Sequence, residues 1–172
     1  MNTETLQNYT GGFIALIIIG IVLFIVLMDG GKKAEINKKI EDLANNTLEM
    51  NPEEFLKMRK ASFDKHHSSY ASKKNFAGVY ILFNQTKSMY YVGQGQKIFD
   101  RVNSHFTGNG NGDVYADYKY GDKFTIKMIA LENSGFSTLN ELERNTIAKY
   151  NAYYKGYNKT RGNKGWFCVL HL

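Results

Sequence analysis

The chain has 172 residues and a formal net charge of +6, which allows one domain of ordinary size plus an appended segment. Its single cysteine, Cys168, excludes an internal disulfide and a cysteine-built zinc site and reads as a small buried hydrophobe. The basic excess points to phosphate, in nucleic acid or in lipid headgroups, and does not separate the two.

In chain order, the first feature is an apolar run. Gly12 to Met28, GFIALIIIGIVLFIVLM, carries no charged or strongly polar side chain. About 17–20 such residues cross a hydrocarbon core of about 30 Å. A soluble helix would show a polar stripe at helical spacing, and none is present. The preceding MNTETLQNYT holds only Glu4, and the run ends in Met28-Asp29-Gly30-Gly31, which argues against a cleaved signal peptide. The expectation is therefore a short outer N-terminus over 1–11 and a single transmembrane helix over 12–28. Lys32, Lys33, Lys38 and Lys39 follow it, so the chain should be single-pass, N-terminus out, with its C-terminal domain cytoplasmic. The lipid bilayer is then one expected partner.

Residues 29–75 read as a helical linker. Ile36, Ile40, Leu43, Thr47 and Met50 form a stripe close to a heptad seam. Two readings fit it: a stalk lying on the membrane or the domain, or weak self-association through residues 36–50. Asn51-Pro52-Glu53-Glu54 is a helix start, with a capping Asn, Pro at the first helical position and acids near the positive dipole end. This helix is predicted to run to about His66. His66 and His67 read as surface residues, and the SSYASKK stretch as loop.

Residues 76–172 form the predicted folded domain. Gly78–Phe83 and Ser88–Gly93 are rich in β-branched and aromatic residues and flank polar turn material, predicting a β-hairpin. A helix is predicted from about Ile98 to Phe106, with Arg101 and His105 four apart on one face. Asn109-Gly110-Asn111-Gly112 reads as a flexible loop, and Lys123–Glu132 as a third strand. Thr138 and Glu141 match a capping box, with a helix following to about Tyr150. The tail reads as loop with a final strand. The order β-β-α-β-α predicts an α+β domain on a small, mostly antiparallel sheet with flanking helices.

From Arg144 to the C-terminus there are six basic residues and no acidic side chain. Lys149, Lys155, Lys159, Arg161 and Lys164 are the candidate nucleic-acid-binding set within this stretch. An ordinary solvated basic surface is the plainer reading of the same residues.

Gly78-Val79-Tyr80, ten intervening residues, then Tyr91-Val92-Gly93 resembles the defining motif pair of the GIY-YIG endonuclease family. In that family an Arg follows on the next helix, with a His or Tyr one turn later, matched by Arg101 and His105. A Glu follows on a later helix, matched by Leu142-Glu143 and Ile147, and then a Gly-Tyr-Asn, matched by Gly156-Tyr157-Asn158. The resemblance covers roughly residues 76–165. Either short aromatic motif alone would be weak, whereas all these features in order are specific.

The resemblance implies a phosphodiester hydrolase acting on nucleic acid, with DNA the expected substrate, and a catalytic set of Tyr80, Tyr91, Arg101, His105, Glu143 and Asn158. Glu143 is the expected metal ligand, since one carboxylate with water and phosphate oxygens suits Mg²⁺ (or Mn²⁺). Its neighbour Glu141 is the rival. Arg101 presents a fork of donors for a phosphate oxygen, unless a salt bridge with Asp100 or Asp117 occupies it. The resemblance makes Tyr91 the expected base and Tyr80 its supporting partner. His105 is a candidate for proton transfer, and Asn158 for fixing the site by hydrogen bonds. Gln94 stands where some relatives carry Lys and reads as tuning. The alternative function is a catalytically idle GIY-YIG-like module, tethered to the membrane, that binds nucleic acid or acts as a scaffold.

Overall fold

The computed structural model describes residues 3–61 and 69–163, with side chains from Leu16 onward. The chain divides into two compact units, residues 1–39 and 40–172. Helix α1, Thr3–Asn45, runs through the first unit and ends in the second.

The expected transmembrane helix is not supported. Among the described residues no helix is long and apolar enough to cross a membrane. The described part of the apolar run, Leu16–Met28, gives about 20 Å of helix at 1.5 Å per residue. Extending it to about 18 residues from Leu16 takes in Asp29, Lys32 and Lys33. The large apolar side chains from Leu16 to Met28 are all exposed.

In the second unit, strands β1 (Gly78–Asn84), β2 (Met89–Gly95) and β3 (Phe124–Ala130) form an antiparallel sheet in the order β2-β1-β3. The hairpin and third strand thus form where the β-branched and aromatic runs predicted them. β1 is central, and its alternating residues serve two cores. Tyr80 and Leu82 pack with Phe55, Phe99, Val102, Phe106 and Ile126. Val79 and Ile81 pack on the other face with Val92, Ile129, Leu142 and Ile147. The helices on these faces are α2 (Pro52–Lys60), α3 (Tyr70–Lys74), α4 (Ile98–Phe106), α5 (Gly112–Lys119) and α6 (Leu139–Lys149).

The proposed self-association stripe is occupied within the unit. Ile40, Ala44 and Met50 are buried, Leu43 packs on the Val79 side of the sheet, and Met50 bridges Ile126 at the edge of β3. Their apolar surface is covered by this chain's own domain, so self-association through residues 36–50 is not supported.

Three local expectations change. α2 has the predicted capping box, with Asn51 and Glu54 bonding reciprocally, but ends at Lys60. His66 and His67 lie outside the described residues. Within SSYASKK, the Ser69 hydroxyl oxygen accepts from Ser72 N–H and starts the short α3. The Gly-rich loop hides the start of α5, where the Asn111 side chain accepts from the backbone N–H groups of Asp113 and Val114. Lys164, Cys168 and the predicted final strand lie outside the described residues.

Candidate active site

Tyr80, in mid-β1, is fully buried, and its hydroxyl lies 2.8 Å from Nε2 of His105, also fully buried on α4. The Asn111 backbone N–H donates to His105 Nδ1 at 2.8 Å, so that nitrogen carries no proton. Burial, with the Arg101 cation second, pushes His105 down to about 4. At neutral pH the ring is therefore uncharged, with its proton on Nε2 donated to the Tyr80 oxygen. The Arg101 charge also acts on Tyr80, opposing the rise that burial causes there.

A phenol hydroxyl can accept one bond and donate another. With His105 donating to its oxygen, the Tyr80 hydroxyl keeps its own proton for a second partner, and Tyr91 is the neighbouring phenol. The two tyrosines act on each other in opposite directions, raising Tyr80 and lowering Tyr91. Burial lifts Tyr80 far above the ordinary phenol range. Tyr91 is less buried. Burial raises it too, while the Arg101 charge and the Tyr80 bond oppose that rise.

The strand register explains this pairing. Tyr91 faces Leu82, and Gly93 faces Tyr80, so the two tyrosines are diagonal neighbours on one face, ring centroids 6.1 Å apart. A methyl group on Gly93 would lie 2.2 Å from the Tyr80 hydroxyl oxygen. The glycine ending the YVG motif is the space that this hydroxyl needs.

Arg101 is exposed, one turn ahead of His105, and its charge acts on Tyr80, Tyr91, His105 and Glu143. The two carboxylates weighed as its competitors are engaged elsewhere. Asp100 pairs with Arg59 at 2.9 Å, and Asp117 with Lys87 at 2.6 Å. Glu143 reaches the site from α6 and accepts from Gln94 Nε2 at 3.0 Å and from the backbone N–H of Asn163. Burial raises its carboxyl pKa, while these bonds and Arg101 oppose the rise. Glu141 turns away and accepts from Ser137 N–H at 3.0 Å, closing the start of its own helix.

Among the described residues no three or more His, Cys, Asp or Glu side chains cluster to hold a metal. A cation at Glu143 would take its other ligands from water and phosphate, a donor set that fits Mg²⁺ better than a softer ion.

Asn158 stands behind the site, on the outer edge of β2. Its side-chain amide pairs with Val92 as a strand would, accepting from Val92 N–H at 2.8 Å and donating to Val92 C=O at 2.7 Å. Tyr157 N–H donates to Tyr90 C=O beside it. The candidate basic patch is dispersed: Lys149 pairs with Glu41, Lys159 pairs with Asp113, Lys155 is exposed, and Arg161 lies over the rings of Tyr153 and Tyr154.

Sequence reasoning missed the supports. Gln94 joins Glu143 to Asn140, which lies 2.6 Å from its amide nitrogen. Asn111 fixes the His105 tautomer, and Gly110 leaves room for that ring, since a methyl group there would lie 2.6 Å from Nδ1. The only signal for these two was a glycine-asparagine repeat, which reads equally well as plain loop. No curated protein and no solved structure matches the chain. Residues 76–158, which hold all six of the motif-derived side chains, match the family model described as the GIY-YIG catalytic domain.

Proposed function

We propose that the chain is a metal-dependent endonuclease that hydrolyses phosphodiester bonds in DNA. The observation that carries this reading is the convergence of Tyr80, Tyr91, Arg101, His105 and Glu143 from β1, β2, α4 and α6. A module that only binds would have no use for a buried relay ending on a phenol beside a cation and a carboxylate.

The chemistry needs a nucleophilic water, charge neutralisation on the phosphate and help for the leaving oxygen. Tyr91, in its ionised form, takes the proton of the attacking water. Tyr80, whose oxygen accepts from His105, donates its own proton to Tyr91 and stabilises that ionised form. His105 and Asn111 fix the direction of this donation. Arg101 binds a non-bridging phosphate oxygen as charge builds there. Glu143 would hold the Mg²⁺ ion, which when bound supplies charge neutralisation and assistance to the leaving oxygen.

The test incubates the full chain and a Glu143→Gln variant with supercoiled plasmid, in Mg²⁺ or EDTA. Nicking that needs Mg²⁺ and falls by at least about 10²-fold in the variant is expected. Salt-sensitive plasmid binding with no cleavage under any metal would instead favour the idle binding module. Action near a lipid surface rests on residues 12–28. Flotation of the full chain with anionic vesicles tests it, and recovery of all protein in the pellet would exclude it.

A further inference from the structure

Tyr153 and Tyr154 follow α6, with ring centroids 4.9 Å apart at an interplanar angle of 71°. The Arg161 guanidinium lies 5.4 Å from the Tyr153 centroid and 5.1 Å from that of Tyr154. Tyr154 is 67% exposed, which is unusual for so large a ring. Among the described residues no carboxylate pairs with Arg161. Its charge is therefore held by two π-faces and stays open to an anion.

The platform is anchored beside the site. Ala152, directly before the two tyrosines, is fully buried in the core that holds Leu142 and Ile147 of α6. Gly162, at φ +91°, lets the chain turn against Arg144, where a methyl group would lie 3.1 Å from the Arg144 Cα. The next residue, Asn163, donates its backbone N–H to Glu143. Two residues span at most about 7 Å, so the Arg161 backbone lies that close to the Asn163 backbone, which itself bonds the expected metal ligand. The platform is therefore within a few nucleotides' reach of a phosphate held at Glu143.

We propose that Tyr154 and Arg161 form a subsite that stacks an unpaired base next to the scissile phosphate, making single-stranded nucleic acid the preferred substrate class. This rests on the nuclease reading of the same site. A base inside a duplex has both faces covered by its neighbours, whereas an unpaired base can lie on a tyrosine ring. Every base has such a face, so the preference is for strandedness and not for sequence. Arg161 adds attraction for the flanking phosphate, and its plane extends the stacking surface.

The test measures fluorescence anisotropy of labelled oligo-dT, oligo-U and a blunt DNA duplex with the full chain in EDTA, so that binding is read without cleavage. Tyr154→Ala is expected to weaken single-strand binding about tenfold, within the range for losing one base–aromatic stack. Tyr154→Phe, which keeps the ring, is expected to stay within about twofold of wild type, and duplex affinity to change less than single-strand affinity. Similar losses on oligo-dT and oligo-U would assign recognition to the base face, and a loss on one alone would assign the subsite to that nucleic acid. Unchanged single-strand affinity in Tyr154→Ala, or an equal loss on the duplex, overturns the proposal. Ring-dependent binding by a chain that cuts nothing in Mg²⁺ would refute the nuclease reading while leaving the subsite standing.

Discussion

His105 does not change its charge near neutral pH. Burial and Arg101 hold it uncharged down to about 4, against 6.5 for the free side chain. The unfolded chain therefore binds a proton in that window that the folded chain does not. Stability from this group is complete above pH 6.5 and is lost as pH falls from 6.5 to about 4, by up to about 3 kcal/mol. Melting temperatures across that range should show this slope, and it should flatten in His105→Gln. Tyr91 behaves differently in the rate. Its pKa stays raised, so cleavage should climb steadily from neutral to alkaline pH. An inflection near pH 6.5 that disappears in His105→Gln would show instead that the histidine itself moves the proton. Gly93 sets a steric limit beside both. Gly93→Ala forces the Tyr80 hydroxyl aside and should cost about 1–3 kcal/mol in chemical denaturation, together with activity.

At the scale of elements, the exposed edge of β2 is closed by the Tyr157-Asn158 segment rather than by another strand. Asn158→Ala leaves the Val92 N–H and C=O without these partners and should destabilise the chain by about 1–3 kcal/mol. Amide exchange at Val92 should rise with it, and unchanged protection there would mean that the clamp is not what closes the edge. This edge shows what the sequence carried and what it lacked. The hairpin was legible because turn residues separate two β-rich runs, and α4 because Arg101 and His105 share one face. α5 was not, because Asn111 caps it from inside a glycine-rich stretch whose low helix propensity hides the start. Gln94 and Asn111 could not be placed at the site, since their partners lie across the fold or depend on a ring tautomer. Glu143 was favoured over Glu141 by its Leu142-Glu143 and Ile147 context, whereas the different directions of the two side chains, two residues apart on one helix, needed coordinates.

On the scale of the molecule, the stripe ending α1 belongs to the core of the second unit. Ile40→Ala should lower stability by about 2–5 kcal/mol, since Ile40 is fully buried. Sedimentation should show the same association state for variant and wild type, whereas a dimer lost on substitution would restore the seam reading. In the site that this unit assembles, Tyr91 is the group proposed to activate water. The most direct test is single-turnover cleavage of one oligonucleotide by the full chain and by Tyr91→Phe at saturating Mg²⁺, with melting temperatures of both. The wild type is expected to cut, and Tyr91→Phe to be slower by at least about 10²-fold with its fold intact. Equal rates in the two proteins would contradict that role.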